Sequence, residues 1–126
     1  MAAGTYDVKA IAYDNTGAST SSATSTITVN TSTTTPPTGV VFTASPDDAT
    51  LVTNYELRIY ASGADPNTAT PIAVSDLGKP TPDANNDITV DRSAFFSALA
   101  AGNYVAAVAA VGSGGSTVSA GVAFTR

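Results

Sequence analysis

The sequence contains no cysteine, no histidine and no tryptophan. These absences exclude disulfide bonds, thiolate nucleophiles and histidine bases, and they remove the commonest zinc ligands. Lysine and arginine together supply 5 residues, against 10 acidic ones, which gives a net charge of -5. Nucleic-acid binding depends on clustered basic side chains, so this composition disfavours a nucleic-acid partner. We therefore expect a protein that is not an enzyme and that needs no cofactor.

Long apolar stretches are absent as well. A transmembrane helix needs about 18 consecutive apolar residues, and the sequence has no such run. Met1 leads directly into strand-like sequence instead of the basic and then apolar pattern of a secretory signal. We expect no membrane insertion, and we expect the chain to be an internal or processed piece of a longer exported protein, located outside the cell or at its surface.

A short motif occurs twice in the chain. Residues 2–6 read AAGTY, and residues 100–104, ninety-eight positions later, read AAGNY. About a hundred residues is the length of one immunoglobulin-like sandwich domain. The spacing predicts that the chain starts near the end of one such domain and continues through a second. We expect the C-terminal hairpin of an incomplete immunoglobulin-like domain at 1–30, a Thr/Pro-rich linker at 31–38 and a complete sandwich at 39–126.

The first segment has the pattern of a hairpin. Apolar residues alternate over 6–13, the turn residues Asp14, Asn15 and Gly17 follow, and a threonine-rich return strand is expected at 23–29. Two strands alone are at best marginally stable in water. The hairpin is therefore predicted either to dock onto a sandwich, its own or that of another copy, or to be a remnant of the preceding domain.

The second segment predicts an all-β sandwich of about seven strands. Strands are expected at 40–43, 54–60, 72–74, 88–90, 104–111 and 118–124, with one helical turn at 93–99 capped by Ser93. In the strand at 54–60, alternation places Tyr55, Leu57 and Ile59 on the inner face. The same alternation places Glu56, Arg58 and Tyr60 on the outer face.

Three features of the second segment occur together: the strand YELRIY at 55–60, the corner LAAGNY at 99–104 and the glycine-rich final hairpin. In these features, residues 40–126 resemble a bacterial fibronectin type III-like domain. Residues 2–29 are similar to the last hairpin of the bacterial immunoglobulin-like repeats found along secreted glycoside hydrolases and surface adhesins. The tryptophan that many fibronectin-type domains bury in the second strand is missing, with Phe42 as its expected replacement. The resemblance implies spacing, display or adhesion rather than catalysis.

Tyrosines are the only candidates for an aromatic sugar-binding platform. Tyr13 and Tyr60 are predicted to face outward, whereas Tyr55 is predicted to be in the core. Tyr104 is expected to be the tyrosine-corner residue, whose hydroxyl bonds to the backbone a few residues upstream. An accessory carbohydrate-binding module is therefore a weaker alternative function, with Tyr13 and Tyr60 as its possible contacts.

Two loops carry clustered oxygen ligands. These are Asp47 and Asp48 in one loop, and Asp83, Asn85, Asn86 and Asp87 in the other. A calcium ion would prefer such ligands, but aspartate and asparagine also occur in turns because their side chains cap the backbone. The spacing matches no regular calcium loop, so we predict no metal site.

Asp87 and Asp91 flank a short predicted strand and could be mistaken for a catalytic pair. Four residues along a strand separate them by roughly 13 Å, which is too far for the paired carboxylates of a glycosidase. We therefore expect no hydrolase activity from them.

The predicted strand at 105–111 has no polar residue on either face. An antiparallel sheet with one solvated face should alternate, so something is expected to cover this strand. Either longer neighbours such as Arg58 and Tyr60 shield it, or these two side chains contact a partner together with Val105, Ala107 and Ala109. The second possibility favours a self-assembling subunit, completed by a donated or swapped strand from another copy.

Overall fold

The computed structural model describes residues 4–29 and 35–126, and the chain divides into two compact units, Met1–Thr33 and Thr34–Arg126. All described strand pairs are antiparallel, and the helix of the described part has six residues. The predicted all-β class is confirmed. Residues 2 and 3 of the AAGTY motif and residues 30–34 around the predicted linker lie outside the described residues.

The described residues of unit 1 form two short strand pairs. Its strands are β1 (Gly4–Val8), β2 (Ile11–Tyr13), β3 (Ser19–Ser21) and β4 (Ser25–Val29). β1 pairs with β4, and β2 pairs with β3. The turn between β2 and β3 is held by Asp14, whose Oδ1 accepts bonds from the backbone N–H groups of Thr16 and Ala18 at 2.8 and 3.0 Å. The single strand predicted at 6–13 is therefore two strands.

In unit 2, residues 35–126 form seven strands and one helix. In chain order they are β5 (Gly39–Thr43), β6 (Val52–Ala61), β7 (Ala73–Gly78), β8 (Asp87–Asp91), α1 (Ser93–Ala98), β9 (Asn103–Gly112), β10 (Gly115–Val118) and β11 (Val122–Thr125). One sheet has the order β10–β9–β6–β7, with β11 also paired to β9. The second sheet is the pair β5–β8.

The two sheets of unit 2 share one hydrophobic core. β6 contributes Tyr55, Leu57 and Ile59, which are all buried, as period-two alternation predicts. The second sheet contributes Ile88 from β8, and α1 contributes Phe96. Because side chains from both sheets lie in the same cluster, unit 2 has the layered arrangement of a β-sandwich.

Helix α1 is capped differently from the prediction. Its N-cap is Arg92 instead of Ser93, and no side chain of the N-cap residue makes the capping bond. Asp91 accepts a bond from the backbone N–H of Ser93 at 3.2 Å, so the carboxylate one residue before the cap takes over that role. The helix buries Phe96, which packs edge-on against Phe124 of β11 with ring centroids 5.4 Å apart.

Strand β7 is longer than the predicted 72–74. It begins at Ala73 and continues to Gly78 because Leu77 reaches the core, where only 5% of it is exposed. The extra length is accommodated by a register shift against β6 between Tyr55 and Glu56.

The last predicted strand, 118–124, is two strands with a bulge between them. Ser119 sits at the bulge, where its N–H donates to the carbonyl of Val108 at 2.8 Å and its Oγ accepts the Val108 N–H at 3.0 Å. The same hydroxyl donates to the carbonyl of Ala120 at 3.0 Å. The pairing with β9 shifts by one residue across this point.

Unit 1 has the same bulge. The N–H of Ser22 donates to the carbonyl of Ala10 at 2.8 Å, and its Oγ accepts the Ala10 N–H at 3.0 Å. Its hydroxyl donates to the carbonyl of Ala23 at 2.9 Å. The bonds of Ser22 therefore match those of Ser119 one for one, and this explains why the strands of unit 1 break where they do.

Candidate functional site

The outer edge of β5 is unpaired within the described residues. At one end of its ladder with β8, the carbonyl of Thr38 accepts the N–H of Arg92 at 2.9 Å. At the other end, the N–H of Ala44 donates to the backbone carbonyl of Asn86 at 2.8 Å. Antiparallel ladders bond through alternate residues, so the even-numbered positions of β5 face β8. The backbone groups of three residues therefore point away from β8: Gly39, Val41 and Thr43.

These backbone groups line a groove between β5 and β10–β11. Its first cavity, of about 240 Å³, has an apolar floor that includes Ala106, Val108 and Phe124. Its second, of about 380 Å³, shares Phe42, Val108 and Ser119 with the first. We call these two adjoining cavities the β5 groove.

The β5 groove carries no charged residue, since no aspartate, glutamate, lysine or arginine lines either of its cavities. Val41 lies at its rim and is 69% exposed, and Val122 on the opposite side is 67% exposed. A third cavity, of about 300 Å³, continues from the second toward the β9–β10 turn and includes Asp47. An apolar trough beside an open strand edge is suited to an extended segment that pairs with that edge.

Tyr60 lies on the outer face of the sheet, as alternation predicts, but the expectation that it is available to a ligand there is wrong. Tyr60 is 1% exposed and forms a second cluster with Val105 and Ala107, on the face of the sheet opposite the main core. Ala64 and Ala69, from the segment that follows β6, pack over this cluster together with Val118. Tyr60 is therefore not available to a ligand on this surface.

The apolar strand β9 is covered within its own unit. Arg58 lies opposite Ala107 in the register, and Glu56 lies opposite Ala109. Arg58 pairs with Glu56 at 2.7 Å and also reaches Ser116 of β10 at 3.5 Å, so its side chain passes across β9. The bond to Glu56 raises the pKa of Arg58. Val105, Ala107 and Ala109 are buried, so they do not offer a free interface.

The remaining tyrosines differ in exposure. Tyr13 is 71% exposed on β2 of unit 1. Tyr104 is partly buried, and its hydroxyl donates to the carbonyl of Ala100 at 2.8 Å, which is the contact of a tyrosine corner. Its ring stacks on Phe124 with centroids 5.6 Å apart. Only Tyr13 of the predicted sugar-contacting pair is therefore at the surface.

Asp48 belongs to a hydrogen-bond network. The buried Tyr55 hydroxyl donates to its carboxylate at 2.7 Å, and Lys79 forms an ion pair with it at 3.2 Å. The Tyr55 bond, followed by Lys79, lowers the pKa of Asp48, although partial burial opposes the shift. Burial, and then the bond to Asp48, raises the pKa of Tyr55. This network fixes the turn between β5 and β6 and was not predicted from the sequence.

The acidic loop at 83–87 is a capped turn. Asp83 Oδ1 accepts the backbone N–H groups of Asn85 and Asp87 at 2.8 and 2.9 Å. Asp87 itself accepts the hydroxyl of Thr43 at 2.9 Å. Within residues 4–29 and 35–126, no three acidic, histidine or cysteine side chains come together as a possible metal site.

The candidate carboxylate pair occupies the two ends of β8, where each member makes local bonds. Asp87 contacts β5 through Thr43, and Asp91 accepts from the backbone and hydroxyl of Ser93. The described geometry therefore gives both side chains a role in holding secondary structure.

None of the helical structure described could cross a membrane, because α1 is too short. No family model, no curated protein and no solved structure matches this chain.

Proposed function

We propose that this chain is a non-catalytic structural module of an exported multidomain protein, in which immunoglobulin-like sandwiches of the fibronectin type III-like kind act as spacers or display elements. The observation that carries the proposal is the pair of matching serine bulges. Ser22 and Ser119 make the same three hydrogen bonds at equivalent places in two hairpins. Two hairpins with the same bulge, one in each unit of the chain, are typical of a modular chain.

The linker supports a spacing role. Pro36 and Pro37 stand immediately before unit 2 begins its first strand, and consecutive prolines stiffen a chain into an extended conformation. A spacer should therefore hold its two ends at a narrow range of distances. The test uses the full chain, which has no native cysteine, with dye-labelled cysteines at Thr16 and Ser113. Single-molecule energy transfer should give one narrow distribution, which should broaden in the Pro36→Gly/Pro37→Gly variant.

A broad distribution in the unsubstituted chain would contradict the spacer proposal. The non-catalytic part has its own test, in which the purified chain is incubated with a panel of polysaccharides and reducing ends are measured. We expect no turnover. Turnover that disappears in Asp87→Asn or Asp91→Asn, but persists in the Asp65→Asn control, would overturn this part of the proposal.

A further inference from the structure

The hairpin of unit 1 has one apolar and one polar face. Tyr6 lies opposite Ile27 across the β1–β4 pair, and Val8 is on the same face. Thr5 and Thr28 are opposite each other on the other face. Ile27 is 41% exposed and Val8 is 45% exposed, so the apolar face is only partly covered.

Strand β4 is suited to pair with another strand. It contains neither a charged residue nor proline, and residues 16–38 as a whole carry no charge. Among the described strands it pairs only with β1, so its other edge remains open. An open, uncharged edge strand without proline is a template for further strand addition.

The β5 groove and strand β4 are complementary. The groove supplies the outward backbone groups of β5 and an uncharged apolar floor. In a strand laid antiparallel along β5, the face that carries Ile27 would point toward the apolar floor, and the threonines of β4 would stay on the solvated side. We propose that the β5 groove binds the hairpin of a second copy of this chain, with β4 paired to the open edge of β5.

The local chain geometry favours a second copy over the hairpin of the same chain. Thr38 is already bonded to Arg92 at the start of the β5–β8 ladder. Pro36 and Pro37 precede it, and each proline holds its own φ near −65° and keeps the preceding residue extended. Residues 36–38 therefore enter β5 without reversing, so docking of β4 onto β5 of the same chain would need its whole reversal within residues 30–35. Stiff connections of this kind favour exchange between copies.

Disulfide trapping tests the contact directly, because the chain has no cysteine of its own. One sample carries Val41→Cys, whose side chain lies at the groove rim, and the other carries Thr26→Cys or Thr28→Cys on the polar face of β4. Mixing the samples under mild oxidation should give disulfide-linked heterodimers. The control is Thr5→Cys, which shares the polar face but lies one strand farther from β5, beyond the reach of a disulfide.

Two results would overturn the proposal. The first is that no β4 cysteine cross-links to Val41→Cys more than Thr5→Cys does. The second is that Val41→Cys/Thr28→Cys in one chain forms an intramolecular disulfide at high dilution without mixed dimers, since the hairpin of the same chain would then occupy the groove.

Solution mass provides an independent measurement. Light scattering of the full chain should show a mass that rises with concentration to that of two or more copies. Ile27→Lys, which places a charge on the apolar face, should weaken this association by about tenfold or more, while Thr28→Lys on the polar face should not. A monomer at every concentration, or equal effects of the two variants, would contradict the proposed interface.

Discussion

The phenol of Tyr55 donates a 2.7 Å hydrogen bond to the carboxylate of Asp48, and its oxygen also accepts the backbone N–H of Ser45 at 2.9 Å. One hydroxyl thus connects the inner face of β6 to the start and the middle of the turn that leads into it. Lys79, from the segment after β7, completes the arrangement by pairing with Asp48 and donating to the carbonyl of Val52 at 2.6 Å.

Tyr55→Phe should lower the free energy of unfolding by about 1–3 kcal/mol, because it leaves two partly buried partners without their hydrogen bonds. Urea denaturation of the full chain measures the change. Tyr13→Phe is the matched control, since Tyr13 is exposed and should change stability by less than about 0.5 kcal/mol. Equal changes in the free energy of unfolding at the two positions would mean that the hydrogen bonds of the Tyr55 hydroxyl do not stabilise the fold.

The same network predicts a loss of stability in acid. The Tyr55 hydroxyl, and then Lys79, hold the pKa of Asp48 below its usual 3.8. The folded state therefore favours the ionised carboxylate, and this contribution is present above the unfolded-state pKa and is lost as the pH falls through the lower folded-state value.

Unfolding free energy should consequently decrease below about pH 4, and Asp48→Asn should make that decrease less steep. Asp76 also has a lowered pKa, due first to the backbone N–H of Gly78 and then to Asn54, so part of the slope should remain. Denaturation curves between pH 7 and pH 2 test this. An unchanged slope in Asp48→Asn would show that the network does not couple to folding.

Gly112→Ala should be destabilising, and Gly114→Ala in the same turn should not. A Cβ at Gly112 would collide with the backbone carbonyl oxygen of Leu51, while at Gly114 it would meet nothing within 4 Å. We expect a loss of about 1–3 kcal/mol for the first variant, as is usual for overpacking. The two melting temperatures report the difference, and a Gly112→Ala protein as stable as Gly114→Ala would exclude this close approach.

Ser119→Ala should speed hydrogen exchange of the Val108 amide, because that N–H loses its acceptor. The substitution should also lower the free energy of unfolding by about 0.5–1.5 kcal/mol. Ser22→Ala should have the corresponding effect on the Ala10 amide and leave Val108 unchanged. Hydrogen exchange followed by NMR resolves the two amides. If either substitution altered both amides or neither, the two bulges would not be independent and equivalent.

The sequence predicted burial correctly where the alternation of side chains along one strand decides which face is buried. Alternation alone identified the buried face of β6, including Tyr55, because successive strand residues point to opposite sides of a sheet. It did not predict that Tyr60 is buried, since whether an outer face is covered depends on a later segment, here the one containing Ala64 and Ala69. Periodicity reports which side a residue is on, and it does not report what packs there.

The β5 groove could not be predicted for a related reason. The strand at 40–43 was recognised, but an open edge depends on which strands pair, and that is decided by contacts between distant residues. The bulges also gave no clear sequence signal, because Ser22 and Ser119 are ordinary residues in serine-rich surroundings. The role of Tyr104 was easier to predict, since its hydroxyl bonds to the carbonyl of Ala100, only four residues upstream within the AAGNY motif.

The pairing of β5 with β8 has a consequence for synthesis of the chain. Their side-chain bond between Thr43 and Asp87 spans 44 residues, whereas β9 and β10 join through a tight turn. At about 5–20 residues per second, a ribosome needs about 2–9 s to make the intervening segment. For that interval the nascent β5 has no partner on either edge. β5 has one open edge in the folded unit, but both of its edges are open during synthesis. Neighbouring nascent chains on one polysome therefore meet β5 when it is most able to pair with another strand.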